Sequence, residues 1–217
     1  MENNTELNLA NLRRTYALQE LLEQDAHPSP YAQFEQWFHK AEESLQSEAN
    51  AMIIATALPD GTPSLRTVLL KGFSDQGLLF FTNYNSKKGK ELAANPKCSI
   101  LFFWHELERQ IRIEGIAHKV ERALSEEYFS KRPRGSQLGA AASRQSEPVP
   151  NKEFLNIKYN ELEKQYHGVD IPTPEEWGGY RIMPSEFEFW QGRPNRLHDR
   201  LQYTLVNGAW RITRLSP

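Results

Sequence analysis

Apolar positions recur along this chain with two different periods, and the change from one to the other near residue 50 divides it. Before that point the spacing is helical. Residues 5–25 carry Leu7, Leu12, Leu18, Leu21 and Leu22 as an irregular stripe in a polar stretch, which predicts a surface helix. His27-Pro28-Ser29-Pro30 breaks it. A second helix is predicted over 31–47 from Phe34, Trp37, Phe38, Ala41 and Leu45. From there the runs are short and strand-like, over 51–57, 64–70, 78–82, 98–104 and 110–120. Asp60-Gly61 and Gly77 are turn signals, and Gly115 marks a bulge. One short helix, 87–94, is capped by Ser86 and stopped by Asn95-Pro96. Five strands in about seventy residues predict an antiparallel meander closing into a small barrel.

Helical spacing returns over about 123–168. Ser125 is a candidate N-cap for a helix reaching Lys131, and Pro133-Arg134-Gly135-Ser136 interrupts it. A small-residue helix over 136–143 and an amphipathic helix over 151–167 follow. Strands are predicted at 180–183, 186–190, 200–206 and 209–215, the last two joined by Asn207-Gly208, the strongest hairpin signal in the chain. The expected class is α+β, mainly antiparallel β. Residues 1–48 form an N-terminal helical segment, and 49–217 form a barrel with a helical insertion.

Composition narrows the function classes. The 217 residues carry a net charge of −2, so bulk electrostatics give no reason to expect a nucleic-acid partner. Cys98 is the single cysteine, which excludes an intrachain disulfide and a thiolate metal cluster. The histidines lack ligand spacing, and no metal site is expected. The longest apolar runs, such as residues 100–104, are strand-sized, and the N-terminus has no signal core. A cytoplasmic protein is expected.

Chemistry concentrates in the stretch 188–200, Glu-Phe-Trp-Gln-Gly-Arg-Pro-Asn-Arg-Leu-His-Asp-Arg. On a strand, Arg196, His198 and Arg200 share one face and repel each other unless an anion answers them. Arginine forks suit phosphate or carboxylate, and a histidine between arginines is pushed toward its neutral form. An isolated motif of this kind also fits a solvated basic strand. Asn83 to Lys88 places two lysines, Lys87 and Lys88, at a helix N-terminus, an anion site in principle and a common exposed first turn in practice. Tyr128, Arg132 and Ser136 align as a phosphate clamp only if the helix continues through Pro133. Arg66 and Lys71 bracket a strand, and Arg13, Arg14 and Tyr16 cluster near the N-terminus. Either set also reads as surface charge.

Taken in order, these motifs resemble the FMN-dependent pyridoxamine 5'-phosphate oxidase family. The likeness rests on Glu188-Phe189-Trp190-Gln191 with Arg196-Leu197-His198-Asp199-Arg200, and on Arg66 to Lys71. Leu107-Glu108-Arg109-Gln110, Tyr128 with Arg132-Pro133-Arg134, Gln145-Ser146 and Trp177-Gly178-Gly179 extend it over nearly the whole chain. The resemblance implies a split β-barrel homodimer with FMN between subunits. It assigns Arg66, Thr67, Val68, Leu69, Leu70, Lys71, Phe81, Thr82, Lys87 and Lys88 to the cofactor from one subunit. Gln110, Gln145, Ser146, Trp190 and Arg200 approach from the other. Lys71, Tyr128, Arg132 and Ser136 meet the substrate phosphate. Arg196 and His198 face the pyridine ring as the catalytic pair, and Arg13 and Tyr16 belong to a segment that covers the site.

The implied reaction is oxidation of pyridoxamine or pyridoxine 5'-phosphate by O2 to pyridoxal 5'-phosphate, with release of hydrogen peroxide, and of ammonia from the amine. Two departures stand out. Phe81 replaces a common tyrosine, and Lys87 replaces a common arginine. A flavin reductase-like protein on the same barrel and a non-catalytic binder of FMN or pyridoxal phosphate are the alternatives.

Overall fold

A computed structural model describes residues 15–44 and 48–217. Nine strands form one antiparallel sheet: β1 (Ala51–Ala57), β2 (Pro63–Leu69), β3 (Gly72–Ser74), β4 (Gly77–Asn83), β5 (Lys97–Trp104), β6 (Arg109–Lys119), β7 (Trp177–Gln191), β8 (Asp199–Val206) and β9 (Ala209–Arg214). Among the described residues five α-helices accompany them: α1 (Pro30–Ser44), α2 (Lys87–Ala94), α3 (Arg122–Ser130), α4 (Arg134–Ala142) and α5 (Lys152–Gln165).

The spatial order is β2-β1-β5-β6-β7-β4-β3, with β8 and β9 continuing from β7. The predicted meander is therefore corrected. Strand β4 does not pair with β5, because α2 carries the chain across; β1 takes β5 and β4 takes β7. Residues 180–183 and 186–190, read as two strands, are one long β7. One edge of β7 pairs with β6 along its length. Its other edge pairs first with β4 and then with β8, and there the barrel splits. The register shifts between Glu114 and Gly115, so an irregularity does fall at the expected Gly115, but the extra residue is Ser185 on the facing strand β7, beside Pro184. Asn207 (φ 50°) and Gly208 (φ 82°) make the hairpin turn expected of them.

Strand alternation builds the core. Met52, Ile54 and Thr56 of β1 point inward, and Ile100, Phe102, Ile111, Ile113, Phe187 and Phe189 join them, all nearly solvent-free. Helix α1 closes one side of this core, with Phe34 4.2 Å from the Phe73 ring and Trp37 5.3 Å from Phe189. The helical insertion has a smaller core of its own, built from Phe129, Leu138, Ile171 and Trp177.

The predicted helix over 5–25 is also corrected. Residues 1–14 lie outside the described residues. The chain from Thr15 to Leu22 is not helical, and a single 3-10 turn, Glu23–Asp25, follows. Its amides bond distant carboxylates instead of their own carbonyls: Ala17 and Leu18 donate to Glu108, and Leu21 donates to Asp199. Ser125 lies inside α3 and does not cap it. Its hydroxyl accepts the Gly179 amide at 3.1 Å.

Candidate active site

A cavity of about 530 Å³ opens where the end of β2 faces β4, α2 and the α3–α4 corner. Thr67, Val68, Leu69 and Lys71 line it from β2 and the residues just after it, and Phe81 and Thr82 from β4. Lys88 enters from the first turn of α2, which Ser86 caps by accepting the Gly89 amide at 3.3 Å. Lys88 is 7% exposed. Its ammonium donates to Thr82 Oγ1 at 3.1 Å and to Gln145 Oε1 at 3.0 Å. No carboxylate reaches it among the described residues. Burial first, and the Arg66 charge second, hold its pKa down to about 8, against a smaller opposing pull from Glu91.

Arg66 lies on the inward face of β2 and is already engaged. Its guanidinium donates to Thr56, Ser64 and the Ile54 carbonyl, and pairs with the buried Glu91 at 3.1 Å. Burial pushes the Glu91 carboxyl up, but bonds from Ser64, Thr56 and Arg66 together hold it below its usual value. Lys87 is exposed on the α2 surface, 4.0 Å from Glu91. Leu70 is buried, with its amide bonded to the Asn50 carbonyl at 2.8 Å.

The α3–α4 corner brings Tyr128, Arg132 and Ser136 to the same cavity although Pro133 does break the helix. Gln137 bridges the break by donating to the carbonyls of Ser130 and Arg132 at 3.1 and 2.9 Å. Tyr128 stacks on Phe81 at 4.0 Å, and Phe81 in turn lies parallel to Trp177 at 5.4 Å. The Arg132 guanidinium sits over Trp177 at 4.9 Å. Its Nη1 is buried without a hydrogen-bond partner among the described residues, and burial lowers its pKa.

A second constellation lies on the outward face of β6, β7 and β8. Gln110, Trp190 and Arg200 are direct register partners across the three strands and form one row. Arg200 is held by Glu188 at 2.8 Å, and that bond raises its pKa. Glu188 also pairs with Arg112 at 3.1 Å, so the anion owed to Arg200 comes from within the fold. The expected sharing of one strand face by Arg196, His198 and Arg200 is corrected. Strand β8 begins at Asp199, and Pro194–Arg196 is a 3-10 turn with left-handed backbone at Asn195 (φ 58°) and Arg196 (φ 63°). That turn leaves Arg196 exposed, with no ion pair or hydrogen bond among the described residues. The His198 ring lies 4.6 Å from Trp190, and its Nδ1 accepts the Arg193 amide at 3.1 Å. Burial, then the Arg196 charge, lowers the His198 pKa against an opposing pull from Asp199. The imidazole is therefore neutral near pH 7, with its proton on Nε2. Tyr16 approaches both rings, at 5.8 Å from Trp190 and 5.9 Å from His198.

Thus one chain carries two half-sites. Thr67, Ile53, Leu101 and Arg112 are successive partners from β2 to β6, so three strand spacings, about 14 Å along the sheet, separate those two strands. The outward face between them carries exposed Leu65 and Phe103. Gln145, grouped by resemblance with Gln110, stands in the first half-site against Lys88. Ser146 follows it with left-handed backbone (φ 72°). Arg13 lies outside the described residues.

The family profile described as "Pyridoxamine 5'-phosphate oxidase" matches residues 38–166, more than half of the chain. The chain belongs to the pyridoxamine 5'-phosphate oxidase family. A second profile, "Pyridoxine 5'-phosphate oxidase C-terminal dimerisation region", matches residues 177–217. A pyridoxine/pyridoxamine 5'-phosphate oxidase of Rubrobacter xylanophilus is 53% identical over 209 residues, which is 96% of each chain. One from Christiangramia forsetii is 52% identical over 213 residues, 98% of this chain and all of its own. Among solved structures, PhzG from Burkholderia lata, in complex with tetrahydrophenazine-1-carboxylic acid, is 32% identical with a TM-score of 0.87, covering 92% of this chain and 99% of its own. An FMN-binding protein of Nostoc punctiforme related to pyridoxamine 5'-phosphate oxidase shares the fold at 16% identity and a TM-score of 0.70. Membership makes the chain an oxidoreductase on a split barrel. No helix among the described residues is long and apolar enough to cross a membrane.

Within this oxidase fold, some residues were assigned no role in the sequence. Trp177 belongs to a matched motif, yet nothing in its spacing shows that it backs both Tyr128 and Arg132. Glu91 looks like an ordinary polar helix residue. Its burial at 3% exposure comes from the turn of α2 that faces β1.

Proposed function

We propose that the protein oxidises pyridoxamine and pyridoxine 5'-phosphate to pyridoxal 5'-phosphate as an FMN-dependent homodimer. Dioxygen becomes hydrogen peroxide, and the amine consumes one water and yields ammonia. The observation that carries this is a pair of cations in one cavity, the buried Lys88 and the half-buried Arg132 with its solvent-free Nη1, neither met by a carboxylate among the described residues. Buried charge without a counter-ion is costly and calls for an anionic ligand. Two such cations from different elements fit two phosphates, one on the cofactor and one on the substrate.

The residues fit FMN. Lys88 and the amide-rich start of α2 suit its phosphate, and Gln110, Trp190 and Arg200 of the partner offer a flat, hydrogen-bonding wall for its ring. When bound, the flavin accepts the two electrons leaving the substrate and passes them to dioxygen. The chain's own groups do the rest. Lys71, Tyr128, Arg132 and Ser136 hold the substrate phosphate and fix its distance from the reacting carbon. Arg196, exposed and without an ion pair among the described residues, is available to orient the pyridine ring and meet developing negative charge. Neutral His198 offers Nε2–H as a donor. The described chain around Tyr16 serves to cover the site, and a cytoplasmic location accords with the single, buried Cys98.

Two chains are needed because the half-sites are apart within one, and the apolar outward face carrying Leu65 and Phe103 supplies a surface for the second copy. An anaerobic absorption spectrum tests the reading. Flavin bands of the loaded protein should bleach on adding pyridoxine 5'-phosphate and return in air with peroxide. Bands that stay unchanged would favour a flavin reductase-like protein or a non-catalytic binder.

A further inference from the structure

We infer that Glu108 and Gly192 form a dock that seats Tyr16 against the Trp190–His198 half-site, which makes them positioning residues for the proposed oxidation. What the seated ring does for turnover rests on that proposed function; the dock itself does not.

Glu108 follows the 3-10 turn after β5 in left-handed backbone (φ 54°) and is 3% exposed. It holds two segments at once. Its carboxylate accepts the amides of Ala17 and Leu18 at 2.9 and 3.1 Å, and its carbonyl accepts the amide of Gly192 at 2.7 Å. A buried carboxylate that satisfies two neighbouring amides fixes the direction of the chain beside them, and the residue before them is Tyr16.

Gly192 supplies the floor. A Cβ built there would lie 2.8 Å from both Cβ and Cγ of Tyr16 and 3.1 Å from Cβ of Glu108. These atoms are next to the backbone and cannot swing aside as a side-chain tip can. Any larger residue at 192 therefore lifts the tyrosine and the strand of chain that carries it. With glycine, the ring lies edge-on to Trp190.

The segment is fastened again further along. Arg193 donates to the Gln19 carbonyl at 3.1 Å, Asp199 accepts the Leu21 amide at 3.1 Å, and Arg214 donates to the Leu21 carbonyl at 2.9 Å. Those outer ties continue the same fastening, so unseating Tyr16 leaves fewer contacts to break before residues 19–23 open. The Glu108–Gly192 contact sets how deep the ring sits beside Trp190 and His198.

The test uses the FMN-loaded full chain and its Gly192→Ala and Glu108→Gln variants. A glutamate-specific protease reports opening through cleavage after Glu20 and Glu23, read by mass spectrometry. Steady-state kinetics with pyridoxine 5'-phosphate report function. Each variant should be cut about tenfold faster, with KM raised about tenfold and the smaller part of the loss in kcat, as one lost positioning contact predicts. In a Tyr16→Ala background, Gly192→Ala should add no further rise in KM. Cleavage and KM equal to the parent would overturn the proposal. So would a rise in KM that persists undiminished without Tyr16, because Gly192 would then act elsewhere. Faster cleavage of the variants, in a parent that does not oxidise the substrate at all, would support the dock and overturn the proposed oxidation.

Discussion

Lys88→Met should make the protein more stable and a worse flavin binder. The buried ammonium has its pKa held down from 10.5 to about 8. At pH 7 the folded chain keeps it protonated against that shift, at a cost of about 3 kcal/mol relative to the unfolded chain. Methionine has a similar length and no charge. Thr82 can still donate to Gln145 at 3.0 Å after the change, so few polar groups are stranded. Allowing for the lost bonds of Lys88, about 1–2 kcal/mol should remain as a gain, or roughly 2–8 °C in the melting temperature of the cofactor-free protein. FMN affinity should fall by about 10–100-fold, the loss expected for one charge-assisted bond to phosphate. The pH dependence carries its own sign. Between about pH 8 and 10.5 the unfolded state binds the lysine proton and the folded state does not. The parent's stability from this group therefore rises with pH across that window, and the variant's advantage shrinks and vanishes. Thermal melts of the cofactor-free pair at pH 7 and at pH 10, with fluorescence titration of FMN, measure all three. A variant that melts lower at pH 7, or that binds FMN as tightly as the parent, would refute Lys88 as a buried cation held for the cofactor phosphate.

Arg132→Leu should raise KM for pyridoxine 5'-phosphate by about 10–100-fold and leave FMN affinity within about twofold; a matching loss of FMN in the titration would reassign Arg132 to the cofactor. Arg196→Ala should lower kcat/KM by about 100-fold or more while FMN stays bound and the melting temperature holds, because the side chain has no ion pair among the described residues to lose. Turnover at the parent rate would remove Arg196 from the chemistry. Glu188→Gln removes the buried carboxylate between Arg112 and Arg200. Both arginines keep some solvent contact, so the cost should be about 1–3 kcal/mol, read as a shift in the urea midpoint. An unchanged midpoint would show that water already screens the pair.

Elements set by local chemistry were legible in the sequence, and elements set by distant partners were not. The cap at Ser86 and the Asn207-Gly208 turn depend on residues a few positions apart, and the structure places each where the pattern predicts. Leu18, Leu21 and Leu22 suggested a helix by the same logic. There the competing partners are Glu108 and Asp199, 90 and 178 residues away from the amides they accept, and no local pattern announces them. Arg196 failed for a different reason. A spacing of two resembles a strand, but Pro194 and the left-handed Asn195 turn the chain before β8 begins, which separates the exposed Arg196 from the tethered Arg200.

The same division explains why the site looked incomplete in sequence. Groups suited to phosphate are recognisable by type, and Lys88, Tyr128, Arg132 and Ser136 do line one cavity. What type does not reveal is which cations are already answered. Arg66 and Arg200 look as available as Arg132 in the sequence, yet Glu91 and Glu188 neutralise them inside the fold. Lys88 and Arg132 are left with no carboxylate among the described residues. A buried lysine and a half-buried arginine without a carboxylate, on the edge of a sheet face that also leaves Leu65 and Phe103 open, are what the proposed anions and second copy would complete.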